Sequence, residues 1–297
     1  AWMNKSCKRT LRQDPGRSRL MPRELDSLIF MAEAQPLATT VYQEYLGVSV
    51  AVARRSLRKL RNHGLVNVFV TAQENPSHFA LTRRGAVLLA ETIDRNIDEI
   101  QVIRGISKLP LRHHDGGAHL AAALYRAARQ SEGVTVEDFL MESAIRRTRT
   151  LAASTQVPDA IAVLRDPNGN RLAWAIEIDL ATESPGYVAT RKGKPYAELQ
   201  LQGAPLLTIP DWRVVCVVPT EQRMKRLVAA LWEAGIPEGQ WYFAVAAEVR
   251  AETVFSSAWR TVRTSPSGEE ARLIGEAPLP AKAVLTARYD DCRKEVA

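Results

Sequence analysis

The stretch from Ser49 to Gly64 constrains the fold more than any other part of the chain. Val50, Ala53, Leu57 and Leu60 recur at spacings of three, four and three, which is one apolar flank of an α-helix. Arg54, Arg55, Arg58, Lys59 and Arg61 occupy the rest of its circumference. Ser49 stands where an N-cap is needed and Gly64 where a helix closes. Arg54, Arg58 and Arg61 share one stripe, with Arg55 and Lys59 on the adjoining one. Like charges one turn apart destabilise an isolated helix. Such a face is therefore suited to meet an anion.

The flanking segments supply a setting for this helix. Pro22 opens an earlier helix with Leu25, Leu28, Ile29 and Ala32 at helical spacing, and Gln35-Pro36 ends it. A second helix follows Thr39-Thr40, with Val41, Tyr45 and Leu46 inward, and Gly47 closes it. After Gly64 come a short β-rich run over 65–70, a turn at 73–77 and a strand over 78–81. Thr82 then caps a fourth helix carrying Ala86, Leu89, Ala90 and Ile93. The order is three helices, a hairpin and a helix. From Arg54 to Leu81 the chain resembles the winged helix-turn-helix superfamily, notably its bacterial regulators. The resemblance rests on the run from Leu60 to Val66 and on Leu81-Thr82-Arg83-Arg84-Gly85. It implies duplex DNA as partner, with the cationic helix in the major groove. There Arg grips guanine bidentately or clamps phosphate.

Charge follows the same division. Residues 1–112 hold 18 basic and 10 acidic side chains, a net charge of +8, whereas 113–297 carry −1. The basic excess points to an anionic partner for the first part, most simply nucleic acid; the alternative is a solvated basic surface. Residues 1–21 are basic and aperiodic and read as a flexible arm. They lack the apolar core of a secretory signal. No apolar run approaches the ~20 residues of a membrane span, so no membrane partner is expected. Cys7, Cys216 and Cys292 are too few for a disulfide framework or a four-ligand zinc site, and a reduced, cytoplasmic compartment is the natural reading. His113, His114 and His119 lack standard ligand spacing and read as a linker and helix start, with Leu109-Pro110-Leu111 breaking the chain before them.

The second part, 113–259, reads as an α/β domain. A helix from Ala118 to about Gln130 precedes strands over 134–140, 160–164 and 172–178. A helix over 188–201, a strand over 214–218, a helix over 221–234 and a strand over 241–246 follow. This alternation predicts a mixed sheet. Residues 260–297 read as a peripheral segment. Arg146, Arg147 and Arg149 are either a second phosphate patch or a solvated turn.

One constellation in this part carries chemistry. Asp159 begins one strand, and Glu177 and Asp179 end the strand paired with it through the turn at Asn168-Gly169. Alternation puts Glu177 and Asp179 on one face. Three converging carboxylates are costly unless a hard cation neutralises them. Magnesium held by Asp159, Glu177 and Asp179 would polarise a phosphodiester and activate water, with Lys192 stabilising the developing charge. The structural alternative makes Asp159 a turn cap and Asp179 a solvated strand end. Pro158-Asp159 and Glu177-Ile178-Asp179 resemble the PD-(D/E)XK nuclease superfamily. Asp179 stands where that superfamily has lysine. Some members carry the lysine on the next helix, which nominates Lys192, Arg191 or Lys194. The resemblance implies a restriction-endonuclease-like domain with Asp159, Glu177, Asp179 and Lys192 in catalytic positions.

The full layout resembles the replication-relaxation family of plasmid and mobile-element proteins. That resemblance rests on Pro158-Asp159, on the run from Glu177 to Ser184, and on Lys192 and Tyr196. It implies a role in replication, mobilisation or their control. The expected protein is α/β (α+β overall): a winged helix over 22–112 and a nuclease-like domain over 113–259. Duplex DNA is its partner, and a second copy of the chain is a further one. An active magnesium-dependent endonuclease or nickase, and a pure regulator whose second domain mediates dimerisation or partner binding, are the alternatives.

Overall fold

The computed structural model describes residues 20–70, 77–105, 111–131, 133–148, 156–237, 239–264 and 271–275. The arm at 1–19, most of the turn at 73–77, Leu109-Pro110, Arg149 and the segment from 276 onward lie outside the described residues. The fold is mixed α/β. It divides into two compact units, one ending at Ala122 and one beginning at Ala123. Among the described residues, no helix is long and apolar enough to cross a membrane.

The first unit runs α1 (Pro22–Ala34), β1 (Leu37–Ala38), α2 (Thr39–Leu46), α3 (Val50–Asn62), β2 (Val66–Phe69), β3 (His78–Leu81) and α4 (Arg83–Ile93). The strands form an antiparallel sheet in the order β1-β3-β2. Two-residue β1 has no alternation to read and is absent from the sequence expectation. The buried flank of α1 is Glu24, Ser27, Leu28, Phe30, Met31 and Ala34, rotated from the expected Leu25, Leu28, Ile29 and Ala32. Polar partners explain the rotation. The Tyr42 hydroxyl donates to Ser27 at 3.0 Å and is shared with Ser56 at 2.8 Å. Glu24 accepts from the Met21 N–H and from Lys59, each at 2.8 Å. Phe30 adds a stacked contact with Tyr45, centroids 4.0 Å apart.

A single joint ties α3, the hairpin and α4 together. Gly64 turns the chain at φ +66°. The Leu65 carbonyl accepts from the Thr82 N–H at 3.0 Å, and the Gly64 carbonyl from the Thr82 hydroxyl at 2.6 Å. That hydroxyl caps α4 by accepting from the Gly85 N–H at 3.0 Å. A Cβ on Gly85 would lie 2.2 Å from the Leu65 carbonyl oxygen, so only glycine permits this approach.

The division between the units falls inside α5 (Leu111–Gln130). The sequence expectation placed a linker here and began the helix at Ala118, but the helix starts at Leu111 and runs through Gly116-Gly117. Tertiary bonds outweigh the poor helix propensity of glycine here. His114 Nε2 lies 3.0 Å from the carbonyls of Ala34 and Pro36, Asp115 pairs with His78, and His119 pairs with Glu44. Burial lowers the His114 pKa.

The second unit contains β4 (Thr135–Met141), α6 (Glu142–Thr148), β5 (Ala160–Arg165), β6 (Arg171–Ile178), β7 (Trp212–Val218), α9 (Glu221–Glu233), β8 (Trp241–Val245), β9 (Arg260–Thr264) and β10 (Ala271–Gly275). Between β6 and β7, the single helix expected over 188–201 is instead three pieces. They are α7 (Pro185–Val188), a π-type turn over Ala189–Gly193, and α8 (Lys194–Leu201). Pro195 has no N–H to give to the carbonyl four residues back, which breaks the regular ladder there. The seven strands lie in sequence order from β4 to β10. β6, β7 and β8 are mutually parallel and the other neighbours antiparallel. Their crossovers step the same way along the sheet, so right-handed connections lay both helices on one face. Val188, Tyr196, Val214, Met224, Leu227 and Phe243 form part of that core. Residues 260–264 and 271–275 are strands of the sheet, not a peripheral segment. The run over 260–264 is polar and that over 271–275 is a short isolated one, so neither announces an edge strand to a sequence reading.

Candidate functional site

Two sets of side chains bear on function. The first is on α3, whose buried residues are Ala53, Ser56, Leu57 and Leu60. Val50, expected inward, is 38% exposed, and the polar Ser56 takes a buried place through its hydrogen bond with Tyr42. Arg54, Arg55, Arg58 and Arg61 are exposed. Lys59 differs from the other four: its ammonium is 2.8 Å from Glu24, whose side chain is 4% exposed. Lys59 therefore neutralises a buried carboxylate, while four arginines keep their charge at the surface. Of the other basic patch considered, Arg146 is paired with Glu142 one turn away.

The second set lies where β5 and β6 meet the helical crossover. The register pairs Ala160 with Ile176, which sets Asp159 beside the end of β6. Asp159 Oδ2 accepts the Ile178 N–H at 2.7 Å. Glu177 points into the helix-covered face and is 3% exposed. Its Oε2 accepts from Lys192 at 2.5 Å, and its Oε1 from the Tyr196 hydroxyl at 2.6 Å and from Gln156 at 3.3 Å. Lys192 lies in the π-type turn. Gly193 beside it packs so closely on α9 that a Cβ would lie 2.7 Å from Leu231. Irregular helix at this point sets where Lys192 enters.

Burial dominates the electrostatics. It pushes the Glu177 carboxyl up to about 7, against the pull of Lys192 and with Asp159 adding to the rise. Burial would lower the Lys192 pKa, but the neighbouring Glu177 carboxylate outweighs it and holds the ammonium above its ordinary range. Burial also raises the Tyr196 phenol and the Cys216 thiol, so both remain protonated near neutral pH. Glu177 is thus a carboxyl poised to exchange a proton near neutrality beside a fixed cation.

The geometry brings Asp159, Glu177 and Lys192 together and turns Asp179 elsewhere. Both Asp179 oxygens accept from Arg223 of α9, at 2.7 and 2.8 Å. Arg223 also donates to the Glu183 carbonyl at 2.7 Å, so the run from Glu177 to Ser184 is braced as a unit. Ser184 closes it by accepting from the Tyr187 N–H as the cap of α7.

These residues do not fit a magnesium ion as they stand. Among the described residues, no three His, Cys, Asp or Glu side chains are grouped to hold a metal. A hard cation needs ionised carboxylate oxygens turned toward it. The Glu177 oxygens face an ammonium, a phenol and an amide, and the Asp179 oxygens face a guanidinium.

Arg223 and Gln156 are the members that sequence reasoning missed. Arg223 carries a legible signal: it sits on the flank that buries Met224, Leu227 and Leu231, where periodicity asks for an apolar residue. Gln156 carries none.

The profile of the replication-relaxation family matches residues 28–205. Among solved structures, a candidate DNA-binding protein from Ralstonia eutropha JMP134 is 28% identical over 25% of this chain and 96% of its own, with a TM-score of 0.22. No curated protein matches the chain.

Proposed function

The chain belongs to the replication-relaxation family, and from that premise we propose that it is a duplex-DNA-binding protein of a plasmid or mobile element. It acts in replication, mobilisation or their control. In this reading the first unit is a winged helix, α3 is its reading element, and Arg54, Arg55, Arg58 and Arg61 contact base edges and phosphates. The observation that carries it is the helix itself. One flank is packed into the unit, and four arginines stand exposed on the other. A guanidinium row of this kind is matched by a phosphate backbone.

For the second unit we favour an accessory role, in partner binding or dimerisation, over metal-dependent cleavage. Asp179 spent on Arg223 and Glu177 enclosed by Lys192 and Tyr196 support this. The endonuclease or nickase reading is favoured by the meeting of Asp159, Glu177 and Lys192. A nicking assay on supercoiled plasmid carrying the protein's own locus, with magnesium or with EDTA, decides between them. The accessory reading expects no relaxed product in either. Magnesium-dependent nicking that disappears in Glu177→Ala would replace it with the endonuclease reading.

A further inference from the structure

A cleft of about 480 Å³ opens beside the Lys192–Glu177 pair, lined by Gln156, Glu183, Tyr187, Thr190, Arg191 and Lys192. We propose that this cleft binds a nucleotide whose base is unpaired, with the phosphate on Arg191 and the base against the ring of Tyr187. The proposal goes beyond the α3 reading and does not depend on it.

Tyr187 is the first reason. It is 48% exposed, the exposed aromatic among the described residues. Its backbone N–H is held by Ser184, but its ring is left at the cleft in water. A half-exposed ring beside cations is the platform on which bases stack. Arg191 follows it by one turn, with the guanidinium carbon 6.0 Å from the ring centroid. Arg191 is exposed and carries no ion pair among the described residues. Its planar group can clamp phosphate or extend the stacking surface.

The charge of the lining is the second. The Lys192 side chain is 24% exposed and lines the cleft while its ammonium pairs with Glu177. Lys192 is already matched by Glu177 and Arg191 shares the lining with Glu183, so the exposed guanidinium of Arg191 is the cation offered to an anionic ligand. The π-type turn presents Arg191 and Lys192 at the same wall.

The ligand class follows from the combination. Phosphate alone would not use the ring, and a duplex keeps the faces of its bases within the stack. An anionic phosphate joined to an accessible flat base satisfies both. That chemistry belongs to single-stranded nucleic acid and to free nucleotides.

The test uses the full chain, in wild-type form and with Arg54→Ala, Arg58→Ala and Arg61→Ala combined, so that α3 is silenced. Fluorescence anisotropy measures binding of a short thymidine oligonucleotide and of an abasic oligonucleotide of equal length. In the α3-silenced background the thymidine oligomer should bind more tightly than the abasic one. Tyr187→Ala should weaken it by about tenfold, the scale of one lost stacking contact, while leaving the abasic oligomer unaffected. Tyr187→Phe should retain binding, and Arg191→Ala should weaken both oligomers. Thymidine monophosphate that displaces the oligomer assigns the cleft to free nucleotide; failure to displace assigns it to a strand, and either upholds the cleft. Equal affinity for the two oligomers, unchanged affinity in Tyr187→Ala, or loss of all binding when α3 is silenced would overturn it. The α3 reading fails separately, if the silenced protein still binds duplex at wild-type affinity.

Discussion

Arg223 takes both carboxylate oxygens of Asp179 in a fork, at 2.7 and 2.8 Å, and both side chains are about nine-tenths buried. The pair closes the face of the sheet on which Glu177 lies and ties α9 to the loop that follows β6. A carboxylate so engaged is a structural element of that loop. Two geometrically matched donors also favour Arg over Lys at this position.

Arg223→Met should therefore destabilise the protein strongly. Breaking a buried pair leaves an uncompensated charge and costs about 3–5 kcal/mol. Asp179→Asn should cost a similar amount. The double variant should lose less than the sum, because the second change removes the orphan left by the first. Urea unfolding of the two single variants and the double variant measures this; strictly additive losses would show that the two groups are uncoupled.

Lys59 should behave unlike its neighbours on α3. Arg54→Ala, Arg58→Ala and Arg61→Ala should each weaken duplex binding with little change in stability. A base-reading arginine should lose about 1–3 kcal/mol, and a phosphate contact should reduce the salt slope by about 1. Lys59→Ala should instead lower stability by about 1 kcal/mol, because its half-exposed ammonium is the partner of buried Glu24. Its DNA affinity and salt slope should change little. Titrations at several salt concentrations beside thermal melts separate the two classes.

Gly85→Ala tests the joint between α3, the hairpin and α4. A methyl group 2.2 Å from the Leu65 carbonyl oxygen forces backbone to move, at a cost of about 1–3 kcal/mol or more. Gly64→Ala strains a left-handed residue and should cost about 1 kcal/mol. The urea midpoint should fall more for Gly85→Ala than for Gly64→Ala.

The pH dependence of stability should carry the mark of Glu177. Its carboxyl ionises at about 4.5 in the unfolded chain and about 7 in the folded one. The unfolded state therefore loses this proton first as pH rises. Stability due to Glu177 is full below pH 4.5, falls between 4.5 and about 7, and is level above that. Lys192 is charged throughout this window in both states and adds no slope. Glu177→Gln removes the slope, so wild type should lose about 3 kcal/mol relative to the variant across the window. A constant difference between pH 4.5 and 7 would mean that the folded carboxyl is not raised.

Much of the first unit was legible in the sequence. Its helices are short and periodic, and Ser49, Gly64 and Thr82 mark their ends by local chemistry. Capping and turn conformations depend on residues a few positions apart, which a sequence displays directly. The flank of α1 was misjudged because Glu24 and Ser27 are drawn inward by Lys59 and Tyr42, partners 35 and 15 residues away. The same limit governs the second unit. Strand alternation put Glu177 and Asp179 on one face, and the turn at Asn168-Gly169 put Asp159 beside them. What each carboxylate then holds was decided by the π-type turn, α8 and α9. The sequence reading set Lys192 beside the carboxylates; that it and Tyr196 enclose Glu177 while Arg223 claims Asp179 depends on an irregular helix and a crossover that no local spacing encodes. Local sequence sets conformation over a few residues; the energy of a buried charge depends on whichever groups the tertiary packing brings within about 3 Å of it.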